Sequence, residues 1–397
     1  NTTGTGNTAI GKDAAKAVTT GSGNTVLGFG ALQNATTIDY GFAIGYEAGA
    51  AQTSGTQNTF VGNFCGDSLT TAGDCTFVGF QAGAAVTTGG GSTVVGHRAM
   101  DAATSGDYST AVGASALGAM TTGSRNCALG AYAGDAITTA QYNNHVGMYA
   151  GTAVTTGSWN DSFGYSALSS LTTGAANSAF GGAALSFATT PTENSAFGYA
   201  SLYACTTGGS NTGIGYGAGD SITTGTKNTC VGAVTDISAV SGTGQIVIGE
   251  RLTGIGDNHI TVGRDAEGQV YNQYSANASW TRASDVRLKK EITDNTDCGL
   301  AFIKDLRPVT FKWKAPSEVD SNMPNYDATK DEHSHTSKMY GLIAQEVKTA
   351  LDKHNITDFG GWNETPTTKV QGISQEMFIH PLIKAVQELS TKLEAAE

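Results

Sequence analysis

Residues 281–292, Thr-Arg-Ala-Ser-Asp-Val-Arg-Leu-Lys-Lys-Glu-Ile, crowd Arg282, Asp285, Arg287, Lys289, Lys290 and Glu291 around Ser284. A serine hydroxyl is a poor nucleophile near neutral pH and needs a base. A lysine amine can serve as that base when desolvation and neighbouring cations pull its pKa down. The stretch therefore reads either as a charged linker or as a nucleophile beside its base. Other chemistry-bearing residues are scattered more widely. Asp67, Asp101 and Asp135 recur at a step of 34. In a stack of strands that step puts neighbours about 10 Å apart, near the separation an inverting glycosidase uses, although Asp at a turn is ordinary. Tyr46, Tyr165, Tyr199 and Tyr216, with Phe29 and Phe80, each follow a regularly spaced glycine. Such a column is a set of candidate glycan contacts if exposed, or packing between coils or chains if not. His333 and His335 have no third ligand nearby, so neither a metal site nor a cofactor is expected. Cys65, Cys75, Cys127, Cys205, Cys230 and Cys298 form no CxxC and no regular spacing. They read as small buried thiols made in a reducing compartment, and Cys298 as inert.

The elements that must position these residues differ on the two sides of Ser284. Residues 1–283 hold 8 basic and 16 acidic residues, whereas residues 284–397 hold 14 and 18. Charge density rises about threefold at the junction, while 49 of the 54 glycines precede it. A formal net charge of −12 with no basic cluster argues against nucleic acid as a partner. No apolar run reaches the ~18 residues that span a bilayer, and no signal segment opens the chain. The first residue is not Met and falls inside a repeat, as in a fragment of something longer.

Glycines stand at fifteen successive positions from Gly11 to Gly249 at a step of 17. The residue before each is apolar, from Ile10 and Leu27 to Val231 and Ile248. Asn stands four places before the glycine in ten units, Ala three places after it in eleven, and Thr eight places after it in thirteen. A unit so short fits a strand, a turn and a return path. Stacking units would turn the apolar position into a continuous internal ladder and the Asn position into a second, hydrogen-bonded one. The glycine is expected at positive φ or at a close backbone approach. Residues 1–250 are thus expected to form a β-solenoid or β-roll shaft, on the order of 70 Å long at one strand spacing per coil. So thin a core suggests that several chains share it. The step from Gly249 to Gly263 is 14, which ends the regular rod near residue 250 and leaves 251–283 as an aromatic neck. The repeat resembles the head repeats of trimeric bacterial adhesins and the shafts of phage tail fibres.

Residues 284–397 read as a small α+β domain. Residues 299–314 suggest a short helix, a break at Pro308 and a strand with Val309, Phe311 and Trp313 on one face. Residues 340–351 suggest a strand passing into an amphipathic helix. In the last helix Leu382, Val386, Leu389, Leu393 and Ala396 are spaced 4, 3, 4, 3, a heptad seam that wants partner helices.

The motifs SDVRLKKEI, LRPVTFKWK, YGLIAQEV and PLIKAVQEL occur in this order, and together they resemble the endosialidase-type intramolecular chaperone domain of phage tail spikes and fibres. The resemblance spans nearly all of 284–397 and implies a trimerising chaperone that removes itself. It places the scissile bond at Ala283–Ser284 and carries the family's Ser/Lys dyad to Ser284 and Lys289, with Asp285 and Arg287 in support. A separation of five is not one helix face, so the pair can meet only if Ser284 lies in an extended segment or turn ahead of a helix. The expected whole is a homotrimeric tail-fibre shaft, made in the host cytoplasm and carried on the virion. It would bind a host-surface glycan or protein receptor, with no membrane insertion and no activity on an external substrate. A polysaccharide-degrading spike and a trimeric cell-surface adhesin are the alternatives.

Overall fold

The structure, a computed structural model, describes residues 3–264, 268–273, 281–282, 290–321, 326–332, 337–365 and 369–396. Its contacts divide the chain into two units, 1–284 and 285–397.

The first unit is mainly β: a solenoid of about fifteen coils. Strands β1 (Thr8–Ile10) to β14 (Thr229–Val231) are three residues long and repeat every 17 residues. They stack in parallel and in register, Ile10 on Leu27 at one end and Val231 on Ile248 of β15 (Ile246–Glu250) at the other. The repeat glycine shows why no other residue fits. Gly147 has φ 132°, and a Cβ there would sit 2.5 Å from the carbonyl oxygen of Gly164. Both the positive φ and the close approach expected of it are present.

The side chains inside the coil are not those the apolar pattern suggested. A strand alternates faces, and the Asn four before the glycine points inward. The residue two before the glycine shares that face, and from Val26 to Val247 it is buried in every coil. The apolar residue just before the glycine, expected inside, points out: Ile10 is 61% exposed, and none of the fifteen is buried. Phe163, Phe180 and Phe197 stack along this outer face at 4.7 and 4.9 Å.

Inside, volume is traded between two positions of a coil. Phe60 lies against Gly66 and Phe77 against Gly83, where a Cβ would come within 2.6 Å of the ring. In three coils with a small strand residue, Ala111, Ala179 and Ala196, the second position holds buried Leu117, Leu185 and Leu202 at positive φ; where both are small, as at Ala43 and Gly49, Leu32 and Phe60 of the adjacent coils fill the space. His145 takes the large place opposite Gly151; burial pushes its imidazole down to about 4, so the ring is neutral. The Asn column forms the expected ladder. Asn160 Nδ2 donates to Asn143 Oδ1 at 3.2 Å and to Gly174 O at 3.0 Å, while its Oδ1 accepts from Asn177 N at 3.1 Å and Asn177 Nδ2 at 3.0 Å. From Thr19 to Thr223, threonine hydroxyls donate to a carbonyl one coil on, as Thr138 does to Thr155 O at 3.2 Å.

The stack continues past residue 250 by one shortened coil, with β15 parallel to β16 (His259–Arg264). Antiparallel β17 (Gly268–Gln273) and β18 (Thr281–Arg282) then close the exposed edge. In the neck His259 packs on Tyr271; Tyr274 and Trp280 lie outside the described residues.

The second unit has three helices among its described residues, α1 (Leu300–Asp305), α2 (Ala344–Lys353) and α3 (Ile379–Glu394), and two strand pairs. These pairs are β19 (Val309–Phe311) with β20 (Met339–Gly341), and β21 (Trp362–Glu364) with β22 (Gln371–Ile373). Phe302 is fully buried against Val347, Ala350 and Leu351, with Phe359 and Phe378 ringed around it. Glu388 of α3 accepts a 2.9 Å bond from Leu300 N and so caps α1. Asp305 binds Lys353 and His354 at the end of α2, and hydrogen bonds from those two groups hold its carboxyl below the usual range. Two expectations are corrected. Trp313 lies past the end of β19, exposed and edge-on to Phe311, because the strand stops once the partner strand ends. Ala396 lies beyond the end of α3.

Candidate functional site

The junction is anchored from the shaft side. β18 brings the chain to Arg282, paired with Val270, as the last strand of the closing sheet. The next described residue is Lys290, exposed and 3.9 Å from the Glu291 carboxylate. Ala283, Ser284, Asp285, Arg287 and Lys289 lie outside the described residues, as do His333 and His335. Among the described residues after Lys289 no helix begins before Leu300.

The other candidates are fixed in the coils. Tyr46, Tyr165, Tyr199 and Tyr216 are all exposed. They do not make one column: Phe29 stacks on Tyr46 at 5.1 Å, and Tyr199 on Tyr216 at 5.6 Å. Tyr165 meets Tyr149 edge-on, and Tyr199 leans over the intervening Gly182, where a Cβ would sit 3.3 Å from its ring. The acidic column is not a set of equivalent groups either. Asp101 is bound by Arg98 at 2.7 Å, whereas burial raises the pKa of Asp67, and burial together with Asp101 raises that of Asp135. All six cysteines are unpaired and five are buried, Cys127 being half-buried. Burial pushes the Cys65 and Cys230 thiols up to about 12 and Cys205 up to about 11, which makes them poor nucleophiles. Among the described residues no three potential ligands gather as a metal site.

On the second unit the seam of α3 is bare: Leu382, Val386, Leu389 and Leu393 are each more than half exposed, while Pro381 and Ala385 face the core. Beside it lies a cleft of about 450 Å³ lined by Asp294, Asn295, His380, Ile383, Lys384 and Gln387. No sequence pattern marks this cleft, because Asp294 and Asn295 come from a stretch without regular structure.

Residues 284–356 match the family model of the chaperone of endosialidase. The match opens at Ser284, beside the boundary between the two units. Three of the four motifs fall inside it; PLIKAVQEL and the rest of α3 lie beyond its end. No curated protein and no solved structure matches the chain. The chain thus joins a β-solenoid shaft to a region similar to the chaperone of endosialidase, a combination that fits a tail-fibre or tail-spike protein. No helix among the described residues is long and apolar enough to cross a membrane.

Proposed function

We propose that this chain is the shaft of a trimeric phage tail fibre, made in the host cytoplasm and carried on the virion for attachment to a host-surface glycan or protein. Residues 284–397 assemble three copies and are then released by cleavage at Ala283–Ser284. The observation that carries this reading is a pair of apolar columns that the described residues leave partly or fully exposed, one on each unit. The outward column of the shaft runs unbroken through fifteen coils, and the exposed seam of α3 is Leu382, Val386, Leu389 and Leu393, spaced 4, 3 and 4. The 4-3 spacing on α3 is that of a helix that meets copies of itself, and an exposed apolar column as long as that of the shaft marks an interaction surface.

In the cleavage step Lys289 takes the hydroxyl proton of Ser284, and Oγ attacks the carbonyl carbon of Ala283. The C–N bond breaks with a proton passing to the Ser284 nitrogen, and water then hydrolyses the resulting ester. Asp285 and Arg287 hold the segment. Docking of Lys289 only after the three chains meet would delay cleavage until the shaft has folded.

Intact mass under denaturing conditions tests this. Wild type should split at Ala283–Ser284, and Ser284→Ala and Lys289→Ala should stay at 40.5 kDa. A wild type that remains whole while forming a trimer would overturn the cleavage step and leave assembly standing. A native monomer would overturn the fibre reading.

A further inference from the structure

The position five before each repeat glycine forms a corner column that neither the junction nor the candidate tyrosines use. From Arg125 it reads Arg125, Tyr142, Trp159, Ala176, Glu193 and Ser210. All six have φ between 56° and 64°, so their side chains leave the backbone in one direction. The Arg125 guanidinium lies 5.4 Å from the Tyr142 ring centre, and its Nη1 donates to the Tyr142 hydroxyl at 3.1 Å. Tyr142 and Trp159 stack at 4.2 Å and 9°. With one face covered in this way, Trp159 is still 61% exposed, so its other face is open. On that side the adjacent coil offers only the methyl group of Ala176. The coil after it brings Glu193, whose Oε2 accepts from Ser210 Oγ at 3.0 Å.

The backbone does not close this gap. Trp159 N, Ala176 N and Glu193 N each donate to the preceding coil, to Gln141 O, Ser158 O and Ala175 O, at 3.1–3.2 Å. Trp159 and Glu193 are therefore two strand spacings apart, about 9.6 Å. That leaves room for one saturated six-membered ring in van der Waals contact on both sides. The break at Gly182 differs, since Tyr199 itself fills it.

We propose that the slot over Ala176 binds one neutral pyranose ring of a polysaccharide. The C–H face of the sugar stacks on Trp159, and adjacent hydroxyls donate to the free oxygen of Glu193. Tyr142 and Arg125 stiffen the platform from behind, and the Glu193 carboxylate disfavours anionic sugars. The proposal deepens the attachment reading by naming a ligand class and a place for it.

The test is saturation-transfer NMR on the full chain with the methyl glycosides and short oligomers of glucose, galactose, mannose and N-acetylglucosamine. At least one should bind, with affinity about tenfold weaker in Trp159→Ala, the loss of one stacked face. Ala176→Tyr should abolish binding by continuing the ring ladder through the slot. That variant keeps the fold, because Tyr40, Tyr108 and Tyr142 already occupy the same corner, and its melting temperature checks this. No binding by any of these sugars, or binding that Ala176→Tyr leaves unchanged, would overturn the proposal. Denatured mass and native mass of the same sample report cleavage and trimer separately, so failure of the fibre reading would be seen apart from failure of the slot.

Discussion

At the scale of the residue, the shaft core is governed by paired volumes. Phe77 with Gly83 and Ala111 with Leu117 are two solutions to the same cross-section. Phe77→Ala should cost about 3–5 kcal/mol through the cavity it leaves. Gly83→Leu alone should also destabilise, since its Cβ would press into the ring. The double variant recreates the Ala111–Leu117 pair and should recover a large part of both losses. A double-mutant cycle from chemical denaturation measures this, with a coupling of about 2 kcal/mol or more expected. Additive losses would mean that the two positions do not share one space. The 17-residue step and the glycine were legible in the sequence because one steric demand recurs at every coil. Which residues face inward was legible only by parity. Ile10 to Ile248 look like a core column because they are uniformly apolar, yet the buried amide four before the glycine puts them on the opposite face. The residues that fill the core vary from Gly213 to Phe77, which hides them from a search for uniformity.

At the scale of the element, each coil is held to the next by side chains that act as backbone. The Asn160 carboxamide makes bonds to both neighbouring coils, and Asn177 N has its Oδ1 as partner. Asn160→Ala would bury that N–H unpaired and should cost about 2–3 kcal/mol. Asn160→Ser should cost less, because Ser92 and Ser109 already do the same job: Ser92 Oγ donates to Gly106 O and accepts from Ser109 N. Thermal melts of the two variants give the order, and equal losses would show that the ladder is not what the position supplies. The Asn ladder could be read from sequence because identical residues at a fixed step must meet. The strand-to-helix passage into α2 was also legible, from its 3.6-residue period. The cap that Glu388 provides for α1 was not, since 88 residues separate Glu388 from Leu300 and nothing local marks either.

At the scale of the whole molecule, the two units present matching needs: a rod with an apolar stripe and a helix with an apolar seam. Among the described residues neither is covered. The double variant Val386→Asp, Leu389→Asp puts two carboxylates into the seam while leaving Pro381 and Ala385 on the core side. On the proposed reading, wild type should run as trimers by native mass and this variant as monomers with the junction uncut. A trimer that survives would place the assembling surface elsewhere on the chain. The junction is where a sequence stops being informative at this scale. The change in charge at Ser284 marks the boundary between the two units, but a meeting of Lys289 with Ser284 is a tertiary matter that no local pattern encodes.

The register of the coils has a further meaning. Most coils meet their neighbours through a recurring pattern of backbone amides, threonines and asparagines, so the shaft is a ruler with marks about 4.8 Å apart. Seventeen residues more or fewer change its length by one mark and leave every remaining joint as it was. A change outside the strand is absorbed by the return path: across the 14-residue coil Val247 still pairs with Thr261, and both stay buried. Genes for such a rod can lengthen or shorten it by whole units through recombination between repeats, and reach becomes a property adjusted in integers while the folding rule stays the same.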